Sequence, residues 1–154
     1  MNRRHAVAVV VALLTMAAAL VPPFWIRATG DEVALPITPV DPLSLFRGNY
    51  VDLRYDVDVD LGPTVDWDDV VYVVFDDGRP ARALRSSTDR PTLGAGERCI
   101  RGRAEGRGVA FPELEQFFVT EERGRELERE LSQYVAIVKA TESCRAVLVD
   151  LEPR

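Results

Sequence analysis

Apolar and polar positions alternate most regularly between Val51 and Leu61. Val51, Leu53, Tyr55, Val57, Val59 and Leu61 take every second place, with Asp52, Arg54, Asp56, Asp58 and Asp60 between them. Side chains of a strand point alternately to its two faces, so the pattern predicts one long strand with a core face and a water face, ended by Gly62-Pro63. Val70 to Phe75 is β-branched and aromatic without alternation, which predicts a strand buried on both faces. Asp76-Asp77-Gly78-Arg79 carries a hairpin turn signature, with Ala81 to Arg85 as the return strand and an exposed polar loop over 86–97. Arg98 to Ala104 and Gly108 to Phe111 predict a second hairpin. Val135 to Val138 and Ala146 to Val149 predict a third, around Thr141-Glu142-Ser143. Upstream, residues 27–42 form an extended lead-in. Within it, Val33, Leu35 and Ile37 alternate with Ala34, Pro36 and Thr38, which predicts a short edge strand where Pro36 is tolerated.

Helical signals are few. Thr120 can cap free amides, Glu121 and Glu122 sit at the positive end of the dipole, and Leu127 and Leu131 share a face. About seven strands and one soluble helix in roughly 125 residues predict an α+β domain, mainly antiparallel β, as a partly closed barrel or a two-layer sandwich.

The N-terminus is different in kind. Ala6 to Ile26 are twenty-one residues without charge, flanked by Arg3, Arg4 and His5. As a helix they span roughly 30 Å, the hydrocarbon thickness of a bilayer. This predicts a transmembrane anchor over 1–26 that holds the lipid bilayer through residues 6–26, and a domain over 27–154. Phe24 and Trp25 fall at the interface, and Pro22-Pro23 kink or end the helix. Ala17-Ala18-Ala19 offers the other reading, a cleaved signal peptide. The apolar run continues past that site to Ile26, which favours retention. By the positive-inside rule the N-terminus is cytoplasmic and the domain extracytoplasmic in the cell membrane.

Charge narrows the partners. The chain carries a formal charge of −6, with all 25 acidic residues after Gly30. From Arg27 onward 17 basic residues face 25 acidic ones, giving −8, which argues against nucleic acid. The only histidine, His5, lies at the membrane boundary, so Ser-His-Asp and Cys-His sites and histidine-based zinc sites have no histidine to use. Asp56 to Gly62 has the aspartate spacing of a calcium loop, but Gly62 is seventh rather than sixth and position twelve is Trp67, so no metal site is assigned. No cofactor is expected. Asp66, Asp68 and Asp69 surround Trp67, which predicts an acidic loop with the indole tucked into the domain. Cys99 and Cys144 are the only cysteines. Outside the cytoplasm they can pair, stabilising the fold by about 4 kcal/mol through loop closure; two separate buried thiols are the alternative.

The lead-in and first long strand resemble the GDYxxLxY protein family. Pro39-Val40-Asp41-Pro42 is followed by Arg47-Gly48-Asn49-Tyr50 and then by Leu53 and Tyr55. A second patch, Phe117-Phe118-Val119-Thr120-Glu121 with Gly124 and Glu126-Leu127-Glu128, is similar to the family's aromatic-to-helix segment. The resemblance implies a membrane-anchored bacterial protein with no assigned reaction and a multi-pass membrane protein as partner. It marks Asp41, Pro42, Arg47, Gly48, Asn49, Tyr50, Leu53 and Tyr55 as a turn and strand start, or as a binding surface. Phe118, Glu121, Gly124 and Glu128 form the second motif patch. Asn49 stands where the family name has Asp, so a role that needs a carboxylate there does not carry over.

The expected function is an extracytoplasmic interaction or accessory domain, more a binding module than an enzyme. The alternative is a membrane-bound hydrolase. It would use Lys139, the single lysine, with Ser44, Ser86, Ser87, Ser132 or Ser143, or a carboxylate pair such as Glu113 with Glu115 or Asp66 with Asp68.

Overall fold

A computed structural model describes residues 3–39, 50–106 and 108–154. The first element, α1, is a helix over Arg3–Thr29. It runs through Pro22 and Pro23 instead of ending there. Those residues cannot donate to the carbonyls of Ala18 and Ala19, but two missing bonds do not outweigh the ones on either side. The helix stops at Gly30, whose N–H closes on the Ile26 carbonyl at 2.8 Å; a Cβ there would lie 2.6 Å from that same oxygen. The residues from Val7 to Thr29 are long and apolar enough to cross a membrane, and none of the most apolar window is buried.

Nine strands follow among the described residues: β1 Asp31–Pro39, β2 Tyr50–Tyr55, β3 Val70–Phe75, β4 Ala83–Ser87, β5 Arg98–Glu105, β6 Gly108–Ala110, β7 Gln116–Phe118, β8 Tyr134–Ala140 and β9 Ala146–Pro153. All pairings are antiparallel. One sheet has the order β7-β2-β1-β8-β9 and the other β4-β3-β5-β6. Their inner faces share one core, in which Leu35, Ile37 and Leu53 of the first sheet meet Val73, Phe75 and Ile100 of the second. The fold is therefore a mainly antiparallel, partly closed β-barrel with one further helix, α2, over Glu121–Glu130. Thr120 caps α2 by accepting from the Arg123 N–H at 3.4 Å, and Leu127 and Leu131 are buried beneath it.

Two seams close the barrel. At one, the Ala81 N–H, between β3 and β4, donates to the Ala34 carbonyl of β1 at 2.8 Å. At the other, the Arg101 N–H donates to the Cys144 carbonyl at 2.8 Å, and Cys99 is bonded to Cys144 with Cα atoms 4.8 Å apart. The disulfide joins β5 of the second sheet to the β8–β9 turn of the first. With Val74 it forms a small cluster on the outer side of the second sheet.

Several expectations are corrected. The strand expected at an edge, β1, lies in the middle of its sheet. It accommodates Pro36 because pairing with β2 begins only at Ile37, so the missing N–H falls where the ladder stops. The same proline shortens the long alternating strand. Tyr55 is its last residue, and Asp56 makes a single bond to Pro36, which has no N–H to return. Val57, Val59 and Leu61 still lean on the core, so the alternation is real but belongs to an extended crossing chain, tied at its far end by Ser86 Oγ donating to the Asp60 carbonyl at 2.5 Å. The return strand β4 starts two residues late because Asp76 Oδ1 accepts from both Gly78 and Arg82, which widens the turn. Val70, at the open end of β3, is exposed rather than buried. Trp67 is not tucked in: it is 70% exposed. Backbone bonds from Asp68 to Ala104 and from Ala104 to Asp69, each 2.9 Å, pin the residues that follow it to β5 and leave the indole outside. The short strand β7 was not expected; three residues are too few to show a period.

Candidate functional site

The motif strand β2 forms one wall of an open cleft of about 500 Å³. The opposite wall is the β5–β6 hairpin, and the floor is the segment that leads into β7. Leu53 and Tyr55 carry the family-like spacing, and their roles differ. Leu53 is 1% exposed and belongs wholly to the core. Tyr55 is half-buried, its ring meets Phe111 edge-on at 5.6 Å, and its hydroxyl donates to the Leu114 carbonyl at 2.5 Å. Burial first, and the nearby Glu115 second, push its phenol far above the usual range. Tyr55 is therefore a neutral hydrogen-bond donor that fixes the cleft floor to the motif strand. Gly102 of β5 supports the same arrangement. A Cβ at that position would lie 2.6 Å from the Ala110 carbonyl and 3.0 Å from the Phe111 ring, so only glycine lets β6 and that ring close in.

The cleft is charged. Asp52, Glu105 and Glu115 line it with Arg54. Burial raises the Glu115 carboxyl above its ordinary pKa; Glu105 and then Asp52 raise it too, against the pull of Arg54. Three carboxylates against one guanidinium suit a cationic or hydrogen-bond-donating group, and Glu115 takes up a proton more readily than an ordinary glutamate. Among the described residues no set of three or more His, Cys, Asp or Glu is placed to hold a metal ion.

Of the residues singled out from sequence, Asp41, Pro42, Arg47, Gly48 and Asn49 lie outside the described residues. Tyr50 opens β2 and stands opposite Phe118 of β7, with Val51 opposite Phe117 and Asp52 opposite Gln116. The two motif patches, far apart in sequence, thus meet across one ladder, and Phe118 is 76% exposed at its edge. Glu121 and Glu128 lie in α2. Gly124 is buried in the same helix, its N–H donating to the Thr120 carbonyl at 2.8 Å. Cys99 and Cys144 are on the far side of the molecule from the cleft.

The hydrolase candidates are dispersed. Lys139 Nζ lies 3.4 Å from Glu32, and its hydrogen bond among the described residues goes to that carboxylate. Ser143 shares a hydrogen bond with Thr141. Glu113 pairs with Arg101 at 2.9 Å, apart from Glu115 in the cleft, and Asp68 pairs with Arg103 at 3.1 Å. The alternation places Asp52 and Arg54 only on a water face, Glu115 is offered only as a partner of Glu113, and Glu105 carries no signal, because nothing local shows that the β5–β6 hairpin faces β2.

The sequence pattern of one family, described as GDYXXLXY protein, matches residues 12–151. No curated protein and no solved structure matches the chain.

Proposed function

The chain belongs to the GDYXXLXY protein family, and from that premise we propose that it is a membrane-anchored accessory protein whose β-domain stands outside the cytoplasm and engages an integral membrane partner. The observation that carries this reading is α1. Leu13, Leu14 and Met16 are each about 60% exposed, and such a surface along a whole helix is stable in lipid and costly in water. The Arg3-Arg4 flank supports a cytoplasmic N-terminus. The Cys99–Cys144 bond supports an oxidising compartment for the domain. The edge where Tyr50 meets Phe118, beside the acidic cleft, is the surface the partner would use.

Labelling of intact cells with a membrane-impermeant maleimide tests the orientation. Thr88→Cys is expected to react and His5→Cys to react only after lysis; the reverse pattern sinks it. A photo-crosslinker at Phe118 tests the partner. It is expected to give a discrete adduct with an integral membrane protein that a crosslinker at Thr88 does not give, and the absence of any such adduct removes the partner from the proposal.

A further inference from the structure

At the opposite end from the cleft, the last turns of α1 and the β8–β9 turn bound an open groove of about 660 Å³. Pro22, Trp25 and Thr29 form its helix wall, and Arg90, Glu142 and Arg145 its domain wall, together with Asp31, whose carboxylate is already engaged by Arg98 at 2.9 Å. Trp25 is 66% exposed. Arg90 Nη2 donates to the Glu142 carbonyl at 2.6 Å, which uses one of its five N–H groups and draws the guanidinium across the turn. The side chains of Glu142 and Arg145 are exposed and make no hydrogen bond or ion pair among the described residues.

The turn that carries them is stiff. Cys144 N donates to the Thr141 carbonyl at 2.8 Å and Thr141 N to the Arg145 carbonyl at 2.9 Å. Cys144 has φ of 60°, a left-handed conformation uncommon outside glycine, and it is held there by its bond to Cys99. The backbone positions that carry Glu142 and Arg145 are therefore fixed on either side of a locked residue, with the Arg90 guanidinium alongside.

Depth identifies the occupant. With Val7 to Phe24 in hydrocarbon, about 27 Å of helix is used, and Trp25 to Thr29 fall in the headgroup layer. The groove opens into that layer, where headgroups are present at high effective concentration without any water-soluble ligand having to reach it. Its charges are mixed. Two guanidiniums match a phosphate, and the carboxylate matches an ammonium that can donate hydrogen bonds. A choline headgroup has no N–H to offer, and a glycerol headgroup has no positive charge.

We propose that this groove holds the headgroup of a phosphatidylethanolamine lipid, with the phosphate on Arg90 and Arg145, the ammonium on Glu142, and the chain end of the lipid along Pro22 and Trp25. The proposal rests on the reading of α1 as a retained membrane span. The full chain, reconstituted in nanodiscs of equal phosphatidylethanolamine, phosphatidylcholine and phosphatidylglycerol and then released into mild detergent, is read by native mass spectrometry. Phosphatidylethanolamine is expected to stay bound about tenfold over the other two. Arg145→Ala lowers retained lipid of every class about tenfold. Glu142→Gln keeps the phosphate contacts and abolishes the preference for ethanolamine over choline. Equal retention of the three lipids, or a lipid profile unchanged in both variants, overturns the site. The same spectra give the intact mass. A chain shortened at Ala17-Ala18-Ala19 overturns the span itself, whereas a full-length chain with an unselective profile overturns the lipid site alone.

Discussion

The two ends of the β-domain are built on different principles. At the end that receives α1, the charges around β4 and the start of β5 are paired and the chain is tied covalently. Arg98 meets Asp31 at 2.9 Å, Arg85 holds Glu97 through two contacts of 2.5 and 2.8 Å, and the disulfide locks the β8–β9 turn to β5. At the far end, the motif cleft has no covalent tie and gathers Asp52, Glu105 and Glu115 against Arg54. The carboxylates register the contrast. Hydrogen bonds from Arg85 and then from the Gly94 N–H hold Glu97 down to about 2, while burial raises Glu115 above its ordinary value. A strand end braced by ion pairs and a disulfide is suited to being a fixed base; a cleft that leaves like charges together has interactions still to make.

Removing the disulfide tests the contrast most strongly. Cys99 and Cys144 are 45 residues apart, so a Cys99→Ser/Cys144→Ser variant is expected to lose about 4 kcal/mol in denaturant unfolding. Hydrogen exchange should rise first in the β8–β9 turn and the start of β5. An equal rise at the cleft would show that the two ends are one cooperative unit. Leu53→Ala attacks the other end. Truncating a leucine that is 1% exposed should cost about 3 kcal/mol and loosen β2 and β7 before the disulfide turn. Tyr55→Phe keeps the ring against Phe111 and removes only the bond to the Leu114 carbonyl. A loss of about 1 kcal/mol is expected, with faster exchange at the floor of the cleft.

The smallest effects are the pH dependences, which should have opposite signs. The Glu97 pKa is depressed on folding, so its stabilisation is present above the unfolded carboxyl value near about 4 and is lost as pH falls through about 2. Glu97→Gln should therefore destabilise at pH 7 and have no effect below that window. The Glu115 pKa is raised, so its ionised form works against folding at pH 7, and this cost disappears below the unfolded value. Glu115→Gln should stabilise at pH 7 and be neutral in acid. Matching signs for the two variants in unfolding curves across pH would remove the electrostatic distinction between the ends.

Leu53 and Tyr55 were legible as core-facing positions because alternation reports directly which way a strand residue points. The Thr120 cap and the apolar helix were legible for the same local reason: capping chemistry and span length are properties of neighbouring residues. The cleft was not legible. Asp52 and Glu115 are 63 positions apart in the chain and Glu105 lies on a third strand, so their meeting depends on the β2–β7 ladder and on how the second sheet folds back. Trp67 was misplaced because its burial depended on bonds between the residues that follow it and β5 that no local pattern encodes.

By itself the sequence determined the apolar helix, the strand-rich domain, the capped helix and the family, because each follows from the chemistry of residues close together in the chain. Tertiary structure decided that β1 is central, that Pro36 ends the β2 ladder, that Cys99 meets Cys144, and that the two motif patches share an edge. The physical reason is that strand pairing joins backbone groups with no preference for sequence neighbours. Register and partner are set by which arrangement buries the shared core of both sheets, and that is a property of the whole chain.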